Sequence, residues 1–341
     1  MRYCGIAPVH EASHIEVWKE ADPDAGGSPK AWFGAVQHCD SPWSCPVCAP
    51  RVASERGELL EEVVRCWPAG MNAIALATFT IRHDKGHARE LRRLRKGIAL
   101  AWRCVQQSHP WRELGIECVR GLEVTYSGWK GWHPHLHVLL FFRAALTDAE
   151  RCRVAAMLSH EWAVAVARAL GAEHVPSAER GVDVSAAKNA RYLAKLGLEL
   201  TSPATKQKKP GHLGVWDIAK RAAEGNEGYQ ALWREWQQSM RGAKALTWPT
   251  SQKSELRALK DRVAKDLEAR REASKRPREL VATIPRSLWA IVVSFGERVR
   301  GDILDAIRGN GDEADVYAIL TDMLNARGCV DASRDGPLDT S

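Results

Sequence analysis

The stretch IECVRGLEVTYSGWKGWHPHLHVLLFF, residues 116–142, decides how the rest of the chain is read. Its first twelve residues mix β-branched, aromatic and aliphatic side chains with no proline, which predicts a strand. GWKG at 128–131 has glycine at both ends and reads as a hairpin turn. HPHLHVLLFF, 133–142, then returns as a second strand. Successive side chains of a strand point to opposite faces. His133, His135 and His137 therefore share one face, and Pro134, Leu136 and Val138 share the other. After Val138 both faces are apolar, which suits a central strand covered on both sides.

Two imidazoles two residues apart on a rigid strand can reach one ion. A third ligand has to come from elsewhere, and Glu123, across the hairpin, is the candidate. One carboxylate and two imidazoles, with positions left open for a phosphate oxygen, suit Mg²⁺ or Mn²⁺.

Working outward, NAIALATFTIRH (72–83) reads as a strand and residues 87–108 as a basic amphipathic helix. Residues 147–170 form a long helix opened by Thr147 with Glu150 three residues on, the pattern of a capping box. GVDVS (181–185) is a short strand and 186–200 a helix. Strand, helix, two hairpin-linked strands, helix, strand and helix together predict an α+β fold, an antiparallel sheet with helices on one face.

Upstream, the chain is rich in Gly, Pro and Cys and poor in periodicity, apart from a helix over 50–66. ADPDAGGSPK (21–30) reads as a loop or hairpin tip. Beyond 210 the pattern is helical: Trp-rich over 216–248, charged over 251–276, then a last helical module from 284 to 328. The end of the chain reads as a disordered tail. The resulting division is a cysteine-bearing module (1–66), the sheet domain (67–205), a helical extension (206–250) and a C-terminal helical module with its tail (251–341).

The 341 residues carry 49 Lys and Arg against 42 Asp and Glu, a net charge of +7 that favours a polyanionic partner. The basic runs at 82–96 and 206–209 concentrate it. No apolar run approaches the roughly 20 residues of a membrane-spanning helix, and the N-terminus lacks a signal-peptide pattern. A cytoplasmic setting is expected, with no membrane partner. The nine cysteines should then be reduced, and clustered ones point to metal. Cys39, Cys45 and Cys48 cluster, the last two as C-x₂-C with proline between them. Four soft ligands make a closed structural Zn²⁺ site. The fourth is open to Cys4, His38 and His10. Cys66, Cys104, Cys118, Cys152 and Cys329 read as small core residues. Most of the fourteen tryptophans read as packing residues.

HLH after GWHP, on a strand following GLEVTYS, resembles the His-hydrophobic-His motif of HUH endonucleases. Within that superfamily the chain most resembles the rolling-circle replication initiators of small plasmids, over roughly residues 1–250. The resemblance implies a ferredoxin-like or RRM-like antiparallel sheet, with His135 and His137 holding the divalent ion. It implies a tyrosine nucleophile on a helix downstream. NARYLAKLGLEL supplies Tyr192 in a Tyr-x-x-Lys motif completed by Lys195. A phenol with a pKa near ~10 is a poor nucleophile at neutral pH, and a cation such as Lys195 favours its phenolate. A CG pair near the start of such initiators makes Cys4 the fourth zinc ligand. The family's glutamate one turn before the tyrosine is Lys188 here, and Glu199 or Asp183 are its candidate substitutes.

The implied activity is nicking and rejoining of single-stranded DNA through a 5′-phosphotyrosine, starting replication at a hairpin-bearing bacterial origin. A host helicase and polymerase are the further partners. A single-strand transposase or a relaxase shares the chemistry, and a zinc-containing DNA-binding repressor with an inactive nuclease fold is the alternative from another class.

Overall fold

The computed structural model describes residues 4–20, 30–82, 90–128, 130–186, 212–274 and 277–332, with side chains as far as 326. Tyr192, Lys195, Lys188 and Glu199, with all of the helix expected over 186–200 except Ala186, which ends a strand, lie outside the described residues, as do the run at 206–209 and the tail. In chain order the elements are β1 (His14–Glu20), β2 (Lys30–Gly34), α1 (Cys48–Arg65), β3 (Ile74–Phe79), α2 (Leu91–Gln107), α3 (His109–Glu113), β4 (Glu117–Ser127) and β5 (Gly131–Phe141). They continue with α4 (Asp148–Leu170), α5 (Ala178–Gly181), β6 (Val182–Ala186), β7 (His212–Leu213), α6 (Val215–Ala223), α7 (Glu227–Met240), β8 (Leu246–Thr247) and α8 (Glu255–Ala273). The last four are β9 (Arg278–Pro285), α9 (Arg286–Ser294), α10 (Glu297–Arg308) and α11 (Glu313–Ala332).

The chain divides into two units, one of residues 40–269 and one of residues 1–39 with 270–341. The first holds a six-stranded sheet ordered β6-β3-β5-β4-β7, with β8 also on β4. Every pairing is antiparallel. Numbered within the β3-α2-β4-β5-α4-β6 run, the four main strands lie in the order fourth, first, third, second. That is the split βαβ arrangement of ferredoxin-like folds. The α+β reading and the antiparallel sheet are therefore borne out.

The β4–β5 ladder runs without a register shift from Glu117↔Phe141 to Ser127↔Gly131. Gly131 closes the hairpin at φ 76°, a conformation that glycine adopts without a Cβ penalty. Beneath the face of Trp132, Leu136 and Val138 lies the main core. Helix α2 contributes Leu91, Leu94, Ile98 and Trp102, and α4 contributes Leu158, Trp162 and Val166. Gly97 lets these helices approach, because a Cβ there would lie 2.1 Å from a methyl of Leu170. Helix α4 starts with the expected capping box between Thr147 and Glu150. On the histidine face the far end is covered: Phe141 meets Trp67, the ring centroids 5.1 Å apart. Both faces are thus apolar beyond Val138, while on the other half of the strand His135 and His137 are only partly buried.

Tryptophans serve mostly as packing, as expected. Trp102 and Trp162 both meet Phe79 edge to face, and Trp132 stacks on Trp236. Buried indole N–H groups find partners, among them Trp236 Nε1 donating to the Trp43 carbonyl at 2.8 Å.

The second unit is a three-stranded sheet, β2-β1-β9, with α9 to α11 and its own core of Ile15, Val17, Ile284, Trp289, Ile303 and Leu320. Two features depart from the sequence reading. The N-terminal segment, read as loop-rich, contains β1 and β2. RELVATIP, which the helical reading of the C-terminal part passed over, is strand β9, paired with β1 from His14↔Pro285 to Glu20↔Arg278. The unit boundaries at 39/40 and 269/270 also differ from the 66/67 and 250/251 drawn from composition. Long-range strand pairing is the reason, since only the fold brings β9 to β1. Among the scattered cysteines, Cys118 is buried as expected but Cys152 is exposed, because it sits on the outer side of α4.

Candidate metal centre

The β4–β5 register puts Glu123 directly opposite His135 and Gly121 opposite His137. With no side chain at 121, Glu123 can reach diagonally to His137 as well as straight across. Its Oε2 lies 2.9 Å from His135 Nε2 and 2.8 Å from His137 Nε2. The three side chains are among the least exposed polar groups of the sheet, with Glu123 at 8%. They form a group that could hold a metal ion. The spacing fits, since neighbouring oxygen or nitrogen ligands around an octahedral ion of Mg²⁺ size stand about 3 Å apart.

The outward nitrogens support the same reading. His135 Nδ1 lies 3.3 Å from the His133 carbonyl, which can only accept and so suits the tautomer with its proton at Nδ1. His137 Nδ1 lies 3.1 Å from Thr78 Oγ1 on β3. With an ion bound and the protons held at Nδ1, both Nε2 lone pairs would point at the centre beside Glu123, and partners at the far nitrogens are the usual way of orienting metal-binding imidazoles. The residues therefore fit a hard divalent ion.

Thr78 was not singled out in the sequence. The register Thr78↔His137 would have found it, because directly opposed residues share a face. The same lateral row continues to Asp183 on β6, which pairs with Thr78 and is exposed. His133 extends the imidazole ladder, its ring 5.2 Å from that of His135, but it is not in the metal-binding group.

Of the expected zinc ligands, Cys4 and Cys39 belong to the smaller unit and Cys45 and Cys48 to the larger. The Cys39 N–H donates to Cys4 Sγ and the Cys48 N–H to Cys45 Sγ, both at 3.4 Å. Four thiol donors without a carboxylate are a soft set that suits Zn²⁺.

The comparisons with known proteins point the same way. Residues 32–196 match the model of a replication protein family. The chain is also similar to the protein rep of Streptomyces lividans, at 23% identity over 62% of this chain and 62% of the relative. No solved structure matches. The match spans β3 to β6 and the metal centre, and it supports the resemblance to replication initiators read from the histidine strand. Among the described residues no helix is long and apolar enough to cross a membrane.

Proposed function

We propose that the chain is a single-tyrosine HUH endonuclease that nicks and rejoins single-stranded DNA to start rolling-circle replication of a plasmid or similar element in the bacterial cytoplasm. The observation that carries this reading is the convergence of Glu123, His135 and His137 on one point of the sheet. Bound there, Mg²⁺ or Mn²⁺ would polarise the scissile phosphate and offset the charge that builds as its bond breaks.

The chain's own residues supply the rest. Tyr192, as phenolate, attacks the phosphorus, and the bond to the 3′ oxygen breaks. A 5′-phosphotyrosine forms, and the departing oxygen takes a proton to become a free 3′ hydroxyl that can prime synthesis. Lys195 lowers the cost of the phenolate. In rejoining, the 3′ hydroxyl attacks the phosphotyrosine and the phenol leaves. Cys4, Cys39, Cys45 and Cys48 would hold Zn²⁺, which would brace the N-terminal segment. The net positive charge serves a single-stranded and hairpin origin, with affinity that falls as salt rises. A host helicase and polymerase act downstream.

Incubation of the full chain with single-stranded origin DNA and Mn²⁺ tests this directly. The expected result is a denaturation-resistant protein–DNA adduct from the wild type and none from Tyr192→Phe. An adduct from Tyr192→Phe would move the nucleophile elsewhere, and no adduct on any origin strand would favour the repressor reading.

A further inference from the structure

The sheet of the larger unit has a second face, and a cavity of about 710 Å³ opens on it, beside β4 and away from the histidines. That volume is within the range of small-molecule sites. Its walls include Trp102 and Arg103 of α2, Glu117 and Arg120 of β4, and Trp248 and Lys253 of the segment between β8 and α8. Arg120 points to this face because it is an even-numbered residue on a strand whose odd positions, Gly121 and Glu123, face the histidines.

The charge in this cavity is unbalanced. Arg120 donates to Thr247 Oγ1 at 3.2 Å, and among the described residues no carboxylate pairs with it. Burial withdraws its guanidinium from water and lowers its pKa. A guanidinium partly withdrawn from water without a carboxylate partner is costly, and it stays charged at neutral pH. The nearby carboxylate of Glu117 is engaged elsewhere. It accepts from Ser254 Oγ and from the Glu255 N–H at 2.9 Å, at the positive end of α8. Arg103 and Lys253, both exposed, add two more cations at the mouth. Trp102 and Trp111 are packed edge to face at 5.1 Å and form the floor. Trp248 packs in part against the core, is only half-buried, and lines the cavity.

We propose that this cavity binds a nucleotide, with its phosphate on Arg120, Arg103 and Lys253 and its base against Trp248. A planar fork of donors recognises phosphate, and an indole face accepts any base. This site is separate from the metal centre and does not depend on the nicking reading. A chain with no nicking activity would still bind the nucleotide.

Isothermal titration of the full chain with deoxyadenosine monophosphate, inorganic phosphate and deoxyadenosine tests it. One saturable site is expected for the monophosphate, with weaker binding of each part alone, and binding persists in EDTA. Arg120→Met weakens it at least tenfold. Arg103→Ala with Lys253→Ala, both at exposed positions, weakens it severalfold at an unchanged melting temperature. No binding of the monophosphate, equal binding by both variants, or loss in EDTA overturns the proposal. An oligothymidylate that displaces the monophosphate assigns the pocket to one nucleotide of a bound strand. Simultaneous binding of both assigns it to a free nucleotide.

Discussion

Strand β5 presents two faces that obey different rules. On one, Trp132, Leu136 and Val138 are almost wholly buried. On the other, His135 and His137 converge with Glu123 on a single point. The apolar face contributes stability, and the polar face contributes geometry. They are coupled through register alone: sliding β5 by one residue would exchange the faces and destroy both at once. The burial of Leu136 thus helps hold His135 and His137 in place without touching any ion. Substitutions on the two faces should therefore have separable effects, and three of them test that separation.

The largest effect is expected on the apolar side. Leu136 is 1% exposed and sits in the core shared with α2 and α4. Leu136→Ala removes its transfer free energy and leaves a cavity, a cost of about 2–5 kcal/mol. Thermal and denaturant unfolding of the metal-free protein should register that loss. Mn²⁺ affinity, measured well below the melting temperature, should stay within about threefold of wild type, under 1 kcal/mol. A parallel collapse of affinity would mean that the two faces are not independent.

Glu123→Gln is the converse. The amide keeps the shape but loses the charge that both Nε2 atoms face. Mn²⁺ affinity measured by calorimetry should fall by roughly a hundredfold, the upper range seen when a metal site loses a supporting group. The metal-free melting temperature should barely move. Retention of wild-type affinity would remove Glu123 from the ligand set.

The same contrast explains what could be read from the sequence. The histidine face was legible because strand alternation is local: positions 133, 135 and 137 share a face by period alone, and the hairpin brings Glu123 opposite. The capping box of α4 was legible for the same reason, since Thr147 and Glu150 are three residues apart. Thr78 was not, because its place beside His137 depends on β3 pairing with β5 across 59 residues of chain. Strand β9 was missed on a larger scale. RELVATIP lies between a charged helix and a proline that opens another, and its partner β1 is more than 250 residues away. The arginine cavity was illegible for a third reason. An unpaired charge is recognised by what is absent around it, and Arg120 looks in sequence like any arginine on a strand.

The smallest and most specific expectation concerns Thr78. Thr78→Val keeps the shape and the strand propensity, so stability should be nearly unchanged. It removes the Oγ1 partner of His137 Nδ1 and releases the ring that points Nε2 at the centre. Loss of such an orienting partner costs roughly tenfold in metal affinity, about 1.4 kcal/mol. His135 differs, because its Nδ1 partner is the His133 carbonyl and no side-chain substitution removes it. A double-mutant cycle distinguishes orientation of one ring from a general disturbance of the sheet. The effect of Thr78→Val on Mn²⁺ affinity should vanish when His137 is already Gln and persist when His135 is Gln. Equal persistence in both backgrounds would show that Thr78 acts on the strand and not on the imidazole, and the polar face would then owe its geometry to register alone.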